Sequence, residues 1–154
     1  MISVDQYWMG RDQQFPVALS PAIKRNAQVL VGLVNALLDE AAADGVRPGK
    51  DTRTGTAVAS GWRPPEINDA TSNAATGSTH LTGEGADLRD ADDRQLARWC
   101  LRNLAVLERL GLWMEDPQWT PSWVHLQSKP PRSSRRVFVP SNKPPLVAKL
   151  PEQR

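Results

Sequence analysis

Apolar residues recur at three- and four-residue spacing through Ile23, Ala27, Leu30, Val34, Leu37 and Ala41, and this period predicts an amphipathic helix. Ser20 supplies an N-cap, Pro21 suits the first helical position, and Gly45 marks the end. A second helical stripe, Leu96, Cys100, Leu104 and Leu107, runs through "ADDRQLARWCLRNLAVLERLG", with acids early and Gly111 as a stop. Between the two helices the period changes. "TRTGTAVASGW" (52–62) alternates small and β-branched residues as a strand does, and "GADLRD" (85–90) reads as a short strand. The intervening "RPPEINDATSNAATGS" (63–78) is too rich in Pro, Asn, Ser and Gly for regular structure and reads as a long loop. After the second helix, "LWME" and "SWVHLQ" read as strands able to pair as a hairpin across "DPQWTP", and "RVFVP" as an edge strand.

The order helix, strand, loop, strand, helix, then two or three strands predicts an α+β domain in which a small antiparallel sheet carries its helices on one side. At 154 residues the chain suits one compact domain, placed at 1–128, followed by a basic, Pro-rich C-terminal arm at 129–154. From Lys129 to Arg154 there are seven basic residues against the single acid Glu152, so the net charge of +2 leaves the rest of the chain at about −4. That arm is either solvated or a contact for an anionic cell-wall polymer or an assembly partner; nucleic acid is a disfavoured partner. No apolar run approaches the ~20 residues that span a bilayer, and the N-terminus lacks the basic and apolar regions of a signal peptide.

Chemistry is constrained by scarcity. Cys100 is the single cysteine, which rules out an internal disulfide and a thiolate-rich zinc site. A metal must then be held by histidine and carboxylate, and the chain has two histidines, His80 and His125. His80 ends the long loop, and the glycines of "LTGEG" let the chain fold back so that Asp87 reaches the same place. On that pattern alone, His80 and Asp87 are either metal ligands or a hydrogen-bonded pair, and His125 is either a third ligand or a packed histidine. Cys100 lies on an apolar helical stripe and reads as an inert core residue; the six tryptophans read as packing or, for Trp62, Trp119 and Trp123, as the wall of a groove.

Three blocks taken together are more specific. "SGWR" (60–63), "STHLTGEGAD" (78–87) and "WVH" (123–125) resemble, in the same order, the S-G-[YW]-R, S-x-H-x-x-G-x-[AG]-x-D and [WF]-x-H motifs of zinc peptidases of the M15 type. That group comprises D-alanyl-D-alanine carboxypeptidases and phage L-alanyl-D-glutamate endolysins, and the resemblance in element order spans roughly residues 18 to 127. It implies a hedgehog-like α+β fold, Zn2+ held by His80, Asp87 and His125, and Arg63 holding the substrate. It implies hydrolysis of peptide bonds in peptidoglycan stem peptides by a phage lysin or virion-associated cell-wall hydrolase, located in the virion or in the host cytoplasm before release. Virion proteins are a further class of partner.

The general base departs from the family pattern. The family often carries an acid three positions before the last histidine, where this chain has Ser122. Glu115 and Asp116, on the neighbouring strand, are the nearest substitutes and rank above Glu84 in the His80–Asp87 turn. The missing acid keeps an alternative open, a non-catalytic zinc-binding domain of a virion or tail with the same fold. A zinc amidase is a third reading, which the arginine motif disfavours.

Overall fold

The computed structural model of the protein describes residues 1–72 and 74–140. Two short helices that the hydrophobic pattern did not predict open the chain: α1 (Val4–Trp8), started by a Ser3–Gln6 capping box, and α2 (Arg11–Gln14). The long helix α3 spans Pro21–Ala43 with Ser20 accepting from the Ile23 amide, as its spacing predicts, and buries Ala27, Leu30, Val34, Leu37 and Ala41. Asn35 ties the N-terminus to this helix, accepting from the Ile2 amide and donating to its carbonyl, both at 2.8 Å.

The strand expected over 52–62 contracts to β1, Val58–Ser60. Asp51 is the reason: its carboxylate accepts from the amides of Arg53 and Thr54, and Gly55 turns with φ +70°, so residues 52–57 form a turn. The loop 63–78 contains a further helix, α4 (Pro65–Ala70), which Pro65 starts at its first position. β2 follows at Gly85–Arg89.

The helix expected over 91–111 is two. Asp90 accepts from the amides of Leu96 and Ala97 and so starts α5 (Gln95–Arg102). Asn103 then leaves helical geometry while its side chain bonds the Trp99 carbonyl, and α6 (Leu104–Leu110) begins afresh. The break turns Leu104, expected in the buried stripe, out to solvent, while Leu96, Cys100 and Leu107 stay in the core.

β3 (Trp113–Glu115), a 3₁₀ turn (Pro117–Trp119) and β4 (Trp123–Gln127) form the expected hairpin, and β5 (Val137–Phe138) adds an edge. The five strands lie in the order β1-β2-β4-β3-β5. The sheet is mixed rather than antiparallel, because β5 returns alongside β3 in parallel. The α+β class holds. β5 falls within the segment assigned to the arm, and 141–154 lies outside the described residues. No helix among the described residues is long and apolar enough to cross a membrane.

Strand alternation separates two faces of the sheet. Ala86 and Leu88 of β2, Val124 and Leu126 of β4 and Met114 of β3 are buried in the core with Leu30, Val34 and Leu37 of α3. The opposite positions, Gly85, Asp87 and Arg89, Trp123, His125 and Gln127, and Trp113 and Glu115, share the other face. All three metal-binding candidates meet there.

Candidate metal centre

Asp87 and His125 are direct cross-strand partners on β2 and β4, and His80 reaches them from the turn preceding β2. One ligand atom from each of His80, Asp87 and His125 lies within 4.8 Å of the others. Asp87 Oδ1 sits 2.8 Å from His125 Nδ1 and 3.3 Å from His80 Nε2. Asp87 is held well below the usual carboxylate range; burial alone would raise it, but the charges and hydrogen bonds of the two imidazoles outweigh that. Burial lowers His80, whereas for His125 the bond to Asp87 outweighs burial and raises it.

The remaining ring nitrogens are committed, and this settles which nitrogen each histidine offers. His80 Nδ1 lies 2.8 Å from the Gly61 carbonyl, an acceptor, so Nδ1 carries the proton and Nε2 faces Asp87. His125 Nε2 lies 2.8 Å from Gln127 Oε1, and the Gln127 amide nitrogen in turn donates to the Lys129 carbonyl at 2.7 Å. Gln127 therefore accepts from Nε2–H, leaving Nδ1 as the donor atom of His125. Deprotonated at the nitrogens that face Asp87, the two imidazoles, each held by a second partner, would with the ionised carboxylate offer three ligand atoms to a divalent metal.

The local backbone is built for this convergence. Gly61, whose carbonyl holds His80, lies so close to the Tyr7 carbonyl that any Cβ would overlap it. Gly85 similarly leaves room for Thr79, and its carbonyl accepts from the Tyr7 hydroxyl at 2.8 Å. Burial, with the charge of Asp87, pushes that hydroxyl far above its ordinary range, so it remains a donor.

Arg63 is buried beside the triad. Its Nε donates to Ser60 Oγ, its Nη1 donates to Asn68 Oδ1, and its Nη2 lies 3.9 Å from Asp87 Oδ2. Asn68 is anchored in turn by the Ala75 carbonyl. Of the acids, Glu115 is one register position beyond the Met114–Leu126 pair and so opposite His125, whose ionisation its charge favours. Asp116 instead caps the 3₁₀ turn by accepting from the Gln118 amide, and Glu84 accepts from the Thr82 hydroxyl. Ser122 accepts from Arg89 Nη1 at 2.7 Å.

Gln127 and Asn68 escaped the sequence reading. Gln127 had a legible signal, standing two residues beyond His125 on the same strand face. Asn68 had none, because its role depends on a helix inside a segment that reads as a loop. No family model, curated protein or solved structure matches the chain.

Proposed function

We propose that the protein is a zinc-dependent peptidase that hydrolyses peptide bonds of peptidoglycan stem peptides, in the manner of a phage lysin or virion-associated cell-wall hydrolase. One observation carries the reading: His80, Asp87 and His125 converge while Gly61 and Gln127 fix both imidazole tautomers. The second partner of each imidazole turns its other ring nitrogen towards Asp87, as outer-shell partners do for metal-binding histidines. The three sequence blocks add the substrate class by their resemblance to stem-peptide peptidases.

Bound zinc would polarise the scissile carbonyl and acidify the attacking water. His80 presents Nε2, His125 presents Nδ1, and Asp87 supplies the negative charge that favours a divalent ion. Arg63 keeps Asp87 oriented through Nη2 and is itself locked by Ser60 and Asn68. Glu115, half-buried on the same sheet face, is the carboxylate suited to take the proton of the water and deliver it to the leaving amine.

A specific feature favours a second reading, a zinc-binding virion or tail domain without hydrolysis: Ser122 occupies the position of the family's acid and is held by Arg89. Product analysis separates the readings. Zinc-loaded protein incubated with purified muropeptides should give shortened or cut stem peptides, and chelation should stop it. Release of intact stem peptide would identify an amidase instead, and stoichiometric zinc without any product would favour the structural domain.

A further inference from the structure

The segment that the sequence reads as an arm touches the metal centre at three points. Lys129 makes the first: its carbonyl accepts from the Gln127 amide nitrogen at 2.7 Å, and that bond leaves Gln127 Oε1 to face His125. β5 makes the second. Its Arg136 and Phe138 carbonyls accept from the Met114 amide at 2.9 Å and the Asp116 amide at 2.7 Å, the two residues that flank Glu115. The Phe138 side chain makes the third, reaching across β3 to meet the His125 ring edge-on, with centroids 6.2 Å apart and planes at 85°.

Packing shows which face this segment serves. Strand alternation gives β5 one side chain for each side of the sheet: Val137 packs against the core, whereas Phe138 is buried outside it. Ser60 pairs with Asp87, Asp87 with His125 and Glu115 with Phe138, so Phe138 ends a row of side chains that crosses the sheet through the metal centre. β5 is fastened beside that row. Arg136 Nη1 donates to the Leu112 carbonyl at 2.9 Å, and its guanidinium carbon lies 4.4 Å from the centre of the Trp113 ring. Lys129, Arg132 and Arg135 meanwhile stay exposed, so most of the segment's charge remains in water while its backbone and Phe138 pack.

We infer that residues 129–138 are a built part of the metal centre, in which Phe138 is the positioning residue for His125. This role rests on the reading of His125 as a zinc ligand and deepens it with residues from outside the motif blocks. An imidazole turns about a broad Cβ–Cγ torsion, and in the structure its bonds to Asp87 and Gln127 oppose that rotation. Once Nδ1 serves a metal, its bond to Asp87 no longer orients the ring. His125 then depends on the Gln127 bond and on its packing against His80, 5.3 Å away between centroids, and Phe138.

Full-length Phe138→Ala and Phe138→Leu test this without requiring turnover, with Val139→Ala at the exposed neighbouring position as the control. Zinc affinity is measured by competition with a chelating dye, ligand geometry by the visible spectrum of the cobalt(II)-loaded protein, and the fold by the melting temperature of the metal-free protein. Phe138→Ala should bind zinc roughly ten-fold or more weakly and displace the cobalt spectrum. Phe138→Leu, which refills most of the volume without the ring edge, should lose less affinity and still displace the spectrum, and Val139→Ala should match wild type. A side chain that only fills space would lower the melting temperature and leave the spectrum of the folded protein unmoved. Wild-type zinc affinity and spectrum in the folded Phe138 variants overturn the role, and if alanine does not fold, leucine decides alone. A wild type that takes up no zinc removes the metal centre and this role together, whereas a wild type that binds zinc no better than its Phe138 variants removes this role only.

Discussion

Gln127 shows how much rests on one neutral side chain. Its Oε1 can only accept from His125, since its amide nitrogen is spent on the Lys129 carbonyl. Replacing it with leucine frees Nε2 and lets Nδ1 carry the proton, which should weaken zinc affinity by roughly 10–100-fold, the range found for outer-shell partners of metal-binding histidines. Gln127→Glu keeps an acceptor at the same point and should retain tight binding. Competition titration against a chelating dye checks both, and leucine binding zinc as tightly as glutamine would remove Gln127 from the site. Glu115 makes the complementary case. Glu115→Gln should keep stoichiometric zinc yet lower kcat by ~10²–10⁴, the usual weight of a general base; unchanged turnover would shift that role elsewhere.

At the scale of elements, the strongly periodic segments were legible and the locally bonded ones were not. α3 and the β3–β4 hairpin follow from hydrophobic spacing, and the register of β2 against β4 gives Asp87 and His125 their shared face. The shortened β1 and the split α5–α6 pair were hidden because Asp51 and Asn103 each divert backbone groups through a side chain, which period alone does not record. α1 and α2 are too short to display a period, yet α1 brings the Tyr7 hydroxyl onto the Gly85 carbonyl and α2 brings Arg11 onto the Trp62 carbonyl. Asp51 also stabilises. It is fully buried, and although burial alone would raise its carboxyl, hydrogen bonds from Arg89 and Arg53 bring it from 3.8 down to about 2. A carboxyl depressed on folding stabilises above its unfolded value, here by about 2 kcal/mol, and loses that contribution as pH falls towards the folded one. The stability difference between wild type and Asp51→Asn, measured by denaturant unfolding, should therefore shrink from pH 5 to pH 2. A difference constant over that window would contradict the assignment. Gly61→Ala, which drives a methyl into the Tyr7 carbonyl, should cost about 1–3 kcal/mol in the same assay.

Across the whole molecule the sheet divides the labour. One face packs against α3 and the core; the other, with Asp87, His125, Gln127 and Glu115, carries the polar residues that a metal and a peptide would use. With two histidines in the chain, a histidine-based metal site has to use His80 and His125, whereas Asp87, one of seventeen acids, is singled out by the motif resemblance. The Gly61 lock on His80 was hidden because it is made by a backbone carbonyl 19 residues away, whereas Gln127 stands two residues from His125 on the same strand face. The central claim is that this face holds one zinc ion through His80, Asp87 and His125. Native mass spectrometry of the purified protein in the presence of equimolar zinc is its most direct test: one zinc per chain for the wild type and none for Asp87→Ala is the predicted result, and a wild-type chain that carries no zinc, or a variant that carries it equally, would contradict the account.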